Sequence, residues 1–175
     1  YNIHLIYKEL LNFCTVDLSS FYFDIRKDTL YCEEKNSKKR KDCQLLLNII
    51  LDSLLKWFAP ILSFTTEEIF KLVNKNNSEK SIHLKKLNIF PKTWNNIDLE
   101  QNWKKIIDIR NEANSSIETM RAEKIIGSSL EANIEIELDE ENYNLGKNYD
   151  FSEICITSSA KITKTKEKKS LIKVN

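Results

Sequence analysis

The side chains best placed to do chemistry are basic and aromatic. Lys35, Lys38, Lys39, Arg40 and Lys41 crowd a short polar stretch between two helical patterns. Such a cluster can neutralise phosphates and gain affinity by releasing counterions; a solvated interhelical turn has the same composition. Arg26 and Lys27 come just before it. Tyr22 lies one helical turn upstream of Arg26 on the same face, and a ring beside a guanidinium is a platform for an unstacked base. A core tyrosine beside a surface arginine has the same spacing. Arg110 falls on the apolar seam of a long helical pattern, where a charge needs a partner or a route to water. The choices are an ion pair with a glutamate of the bundle or a contact to RNA.

No catalytic constellation accompanies these residues. There is no Gly-rich phosphate loop and no Gly-x-Ser-x-Gly, and His4 and His83 are far apart. Cys14, Cys32, Cys43 and Cys155 form no Cys-x-x-Cys pair and no zinc-finger spacing with either histidine. The expectation is therefore no catalytic residue, no metal site and no cofactor held by this stretch, with reduced and mostly buried thiols. A core of this size needs no disulfide framework.

The 27 Lys and Arg residues balance 26 Asp and Glu, a net charge of +1, so only local charge distribution can speak about nucleic acid. A chain of 175 residues is long enough for one to two domains of ~100–200 residues each. With 41% hydrophobic and 30% charged residues it can bury a core. Only 2 Gly and 2 Pro exclude a collagen-like chain, a Gly-rich linker and a turn-dense sandwich. No apolar run reaches the ~18–20 residues of a membrane span; the stretch from Leu45 to Leu62 is broken by Asn48, Asp52, Ser53 and Lys56. A soluble chain with no membrane contact is expected. It opens on Tyr1, with Ile3, Leu5, Ile6, Leu10 and Leu11 already in helical spacing, as a cut-out of something longer would.

The elements that must position the basic and aromatic residues emerge from periodicity. A helix is predicted over Tyr1 to Phe13, then a second one capped by Asp17 with the stripe Leu18, Phe21, Tyr22, Ile25 and Cys32. A third runs over about 43–58; its polar stripe, Gln44, Asn48, Asp52 and Lys56, is so narrow that other helices must surround it. Pro60 ends it, and Thr65 with Glu68 reads as a capping box restarting a helix from Glu67 to about Val73. A long helix begins near Asp98, with the seam Leu99, Trp103, Ile106, Arg110, Ala113, Ile117 and Met120, and Gly127 suits its C-terminus. Strict alternation from Leu130 to Leu138 predicts a half-exposed strand. Ile154, Ile156 and Ile162 suggest a second strand, and Lys161 to Lys173 a lysine-rich, flexible tail.

Three stretches together carry a family resemblance. The first is Phe21-Tyr22-Phe23-Asp24-Ile25-Arg26-Lys27-Asp28-Thr29-Leu30-Tyr31. The second is Trp57-Phe58-Ala59-Pro60-Ile61-Leu62-Ser63-Phe64-Thr65-Thr66-Glu67-Glu68-Ile69. The third includes Trp103, Ile109-Arg110-Asn111-Glu112-Ala113-Asn114, Glu118-Thr119-Met120-Arg121-Ala122-Glu123-Lys124 and Ile125-Ile126-Gly127-Ser128-Ser129-Leu130-Glu131-Ala132. Their order and spacing, over about residues 1–158, resemble the C-terminal part of the bacterial isoleucyl-tRNA synthetases, class I aminoacyl-tRNA ligases. The first two stretches resemble the valyl and leucyl enzymes more weakly.

The resemblance implies a mainly α fold: a helical-bundle anticodon-binding domain of the class I synthetases over 1–93, then a small α+β junction domain over 94–175, a long helix with a small sheet and the lysine-rich tail. It implies a module of protein synthesis that grips isoleucine tRNA at the anticodon stem-loop, attached to the rest of the synthetase chain, monomeric and cytoplasmic. The catalytic and editing domains, with their ATP and magnesium, belong to the parent enzyme's other parts, which also leave room for zinc. The signatures of the nucleotide-binding domain are absent from this stretch, so the fragment alone is expected to be non-catalytic. The tRNA-binding candidates are Tyr22, Arg26, Lys27, Lys38, Lys39, Arg40 and Arg110. The alternatives are the equivalent domain of a valyl-tRNA synthetase, or a helical protein–protein interaction module with an incidental basic turn.

Overall fold

The computed structural model describes residues 2–74, 80–165 and 171–174. The chain divides into two compact units, Tyr1–Pro91 and Lys92–Asn175.

Neither glycine nor proline occurs before Pro60, so little in the first third of the chain can stop a helix. Helix α1 (Ile3–Asn12) runs directly into a π-helical stretch, Phe13–Phe23. Its wider turns show in the Ser20 hydroxyl, which donates to the carbonyl of Thr15, five residues back, at 2.8 Å. Asp17 therefore lies inside a continuous helical path and caps nothing, a correction to the predicted second start. Leu18, Ile25 and Thr29 face the interior, while Cys32 is exposed. A short helix, α2 (Lys27–Tyr31), closes this arm.

Helix α3 (Lys38–Phe58) begins earlier than its apolar periodicity suggests. Ser37 is the N-cap and accepts from the backbone N–H of Arg40 at 3.2 Å. Lys38, Lys39, Arg40 and Lys41 thus occupy the first turn of a helix, not the turn before it. The bundle around α3 is also thinner than its narrow polar stripe predicts: Cys43, Ser53 and Leu55 are buried, but Leu45 is 62% exposed. After Pro60, α4 (Ser63–Val73) starts without a side-chain cap. Thr65 and Glu68 form no capping box; the Thr66 hydroxyl instead bonds back to the Leu62 carbonyl at 3.0 Å.

Leu55 and Ala59 of the α3 end, Phe70 of α4, and Ile82 form the core of this unit. Polar ties hold the irregular segment after α4. Glu67 accepts from the Ser81 hydroxyl at 2.8 Å and from the Ile82 N–H at 3.0 Å. The Asn88 amide donates to Asp52 at 2.8 Å and to the Ser53 hydroxyl at 2.9 Å.

In the second unit, Asn96 caps α5 (Ile97–Ala122) by accepting from the Leu99 N–H at 2.9 Å. The helix ends through Lys124, which takes the left-handed conformation (φ 58°), so the predicted role of Gly127 passes to a lysine. Gly127 sits further on, and its N–H donates to Glu131 at 2.8 Å. Strand β1 (Asn133–Leu138) buries Ile134, Ile136 and Leu138. Leu130, predicted at its head, lies in a 3-10 turn and is exposed.

Two aspartates set the course of the chain after β1. Asp139 caps α6 (Glu140–Gly146) and Asp150 caps α7 (Phe151–Cys155). The strand predicted at Ile154 and Ile156 is consequently a helix and its left-handed cap. The second strand is β2 (Ser159–Lys164), parallel to β1 after this helical crossover, and β3 (Leu171–Val174) pairs antiparallel on the other side. The order is β2-β1-β3. Lys161, Lys164 and Lys173 are strand residues, a correction to the flexible tail; Lys166, Lys168 and Lys169 lie outside the described residues. Ile106, Ile109, Ala113 and Ile117 of α5 pack on the sheet's apolar face with Phe151. Among the described residues no helix is long and apolar enough to cross a membrane.

Candidate nucleic-acid interface

The backbone N–H of Arg26 bonds to the Tyr22 carbonyl at 3.2 Å, which stacks the two side chains one turn apart. The Arg26 guanidinium carbon stands 5.9 Å from the centre of the Tyr22 ring, a cation–π arrangement. The Tyr22 hydroxyl meets the buried Cys43 thiol at 3.7 Å across to α3. Burial first, then the bond and charge of Cys43, push the Tyr22 hydroxyl up to about 12, against the lowering pull of Arg26.

These contacts close one side of a 230 Å³ cavity lined by Tyr22, Arg26, Thr29, Lys39, Asp42 and Cys43, with Leu46 beside them. Two helical arms supply the lining: the π-helical stretch with α2, and the first turns of α3. A cationic first turn opposes the helix dipole, which favours anions at an N-terminus. Lys38 and Lys39 thus do not stabilise α3, but their field and that of the first-turn N–H groups add together toward an incoming phosphate.

The sequence-predicted candidates divide on this geometry. Tyr22, Arg26 and Lys39 converge on the cavity. Lys38 shares the first turn but stands exposed outside it. Lys27 is bound to Asp24 at 2.8 Å, which holds its ammonium above the ordinary value. Arg40 turns back, donating from Nη1 to the Glu33 carbonyl at 3.0 Å, so it fastens the turn to α3. Arg110 lies in the other unit, 9% exposed, and its Nε donates to the Ile154 carbonyl at 2.8 Å. This placement gives no support to its candidacy as an RNA contact.

Asp42 and Cys43 are among the lining residues that sequence reading misses. They lie some 20 positions from Tyr22, and only the fold of the two arms brings them together. Their place three and four residues after Lys39 puts them on its face once α3 is known to start at Lys38.

The four cysteines are free thiols. Burial raises Cys155 to about 12, with Arg110 pulling the other way. Among the described residues no group of three or more His, Cys, Asp or Glu side chains could hold a metal ion.

An all-helical arm pair with a basic, aromatic cavity is followed by a small α+β unit. The chain matches the family described as the anticodon-binding domain of tRNA ligase over residues 1–136, and it belongs to that family. It is 57% identical over 173 residues to the isoleucine–tRNA ligase of Pelagibacter ubique strain HTCC1062, covering 99% of this chain and 19% of that protein. The isoleucine–tRNA ligase of Agrobacterium fabrum strain C58 is 41% identical over 155 residues, 88% of this chain and 16% of that protein. That of Brachyspira hyodysenteriae strain WA1 is 42% identical over 139 residues, 78% and 15% of the two chains. The chain thus spans no more than 19% of the length of these curated relatives.

Proposed function

We propose that this chain is the tRNA-binding part of an isoleucine–tRNA ligase, holding the anticodon stem and loop of isoleucine tRNA. The family match over residues 1–136 carries the assignment, and the three relatives, all isoleucine ligases, favour it over a valine one. The work of this part is positioning. Cations on the first turn of α3 hold the phosphate backbone, and the cavity beside Tyr22 takes an unstacked base. Activation of isoleucine with ATP and magnesium belongs to other parts of such an enzyme. The parent protein would act as a cytoplasmic monomer.

The test is nuclease protection of an isoleucine tRNA transcript by this chain at low salt. Protection confined to the anticodon stem and loop is expected. Protection at the acceptor end alone, or no protection at any concentration, would overturn the proposal.

A further inference from the structure

We infer that the cavity beside Tyr22 takes one unstacked guanine, with Asp42 as the residue that selects it, an inference that rests on the RNA-binding role proposed above. Among the described residues no hydrogen bond or ion pair reaches the Asp42 carboxylate, although it lines the cavity with Arg26 and Lys39. A pocket built only to grip phosphate gains nothing from a free carboxylate, which repels it. A repulsive element of this kind is how a site gains specificity.

The cavity's size and polarity both point to a single base. At 230 Å³ it is smaller than the ~300 Å³ at which pockets for drug-sized ligands begin, a size for one ring system. Tyr22 and Arg26 offer an aromatic and a guanidinium surface, on which any base can stack. Discrimination must then come from the edge. Lys39 and Asp42 are three residues apart on α3, so a cation and a carboxylate project side by side from one face. Guanine alone presents a matching edge: O6 accepts, and the adjacent N1–H and N2–H₂ both donate. A carboxylate can accept both of these, while the ammonium serves O6. Adenine and cytosine set a donor against a ring acceptor that faces the carboxylate. Uracil flanks its one N–H with two carbonyl oxygens.

The experiment is a selection from RNA hairpins whose loop nucleotides are randomised, with the bound fraction sequenced. It is run for the wild-type chain, Asp42→Asn and Asp42→Glu. The wild-type chain should enrich guanine at one loop position, by about tenfold over uracil. Asp42→Asn should lose that preference while still binding the pool, and Asp42→Glu, which keeps a carboxylate, should retain part of it. Inosine at the selected position, lacking the N2 amino group, should bind more weakly than guanine. Because Asp42 is exposed and unpaired among the described residues, circular dichroism should show all variants folded. Pool binding with a flat loop preference overturns the guanine assignment and leaves tRNA binding standing. A guanine preference unchanged in Asp42→Asn overturns the role of Asp42. No binding of the pool or of intact tRNA by the wild-type chain overturns the tRNA-binding role itself and the inference with it.

Discussion

Arg110 Nε donates to the backbone carbonyl of Ile154 at 2.8 Å, tying the middle of α5 to the last turn of α7. Two residues beyond Ile154 stands Ile156, a β-branched residue held at φ 57°. A short helix that ends in a left-handed isoleucine has orphan carbonyls, and the guanidinium satisfies one of them. Replacing Arg110 by Ala strands that buried carbonyl and should cost about 1–3 kcal/mol in urea unfolding. Affinity for tRNA, measured on the folded variant, should be unchanged. A variant as stable as wild type but weaker on tRNA would return Arg110 to the interface.

Lys124 holds the other left-handed position, at the exposed end of α5. The conformation costs an L-residue about 1–2 kcal/mol, whereas a glycine there would lose more freedom on folding by about 0.4–1 kcal/mol. Lys124→Gly should therefore stabilise the second unit by about 0.5–1 kcal/mol, and Lys124→Ala should not, in parallel denaturant titrations. Equal stabilities for the Gly and Ala variants would show that the strain is relieved elsewhere.

Glu67 makes the first unit sensitive to acid. Its bonds from the Ser81 hydroxyl and the Ile82 N–H, with Lys71 at 3.2 Å, hold its carboxyl below the ordinary value of 4.5. A depressed folded-state pKa contributes stability that is present above the unfolded value and is lost as pH falls through the folded one. The melting-temperature gap between wild type and Glu67→Gln should thus be full at about pH 6 and close as the solution is acidified toward about pH 3. A gap that stays constant over that window would mean the carboxylate's charge contributes nothing.

Much of the fold was legible in the sequence because apolar periodicity survives burial. The α5 seam from Ile106 to Ile117 and the alternation of β1 from Ile134 to Leu138 are read directly from spacing and pack as the period requires, while Leu99 and Leu130, at the heads of the two patterns, are exposed. Errors fall where a local cap or the absence of a breaker outweighs periodicity. Asp150 turns the Ile154–Ile156 alternation into a helix, Ser37 starts α3 in a polar stretch, and the lack of Gly or Pro carries α1 through Asp17. At the interface, the Tyr22–Arg26 pair is read from helical spacing alone. The inward turn of Arg40 and the arrival of Asp42 depend on how two arms pack, which no local pattern encodes.

The central claim is that the first turn of α3 holds the tRNA backbone, and a salt titration of tRNA binding tests it most directly. Log affinity should fall linearly with log salt, and the double variant Lys38→Ala with Lys39→Ala should bind more weakly, with a slope flatter by about 1.4–1.8. Arg40→Ala, whose guanidinium faces the Glu33 carbonyl, should keep the wild-type slope. A double variant with wild-type affinity and slope would contradict the claim and leave this turn a solvated surface.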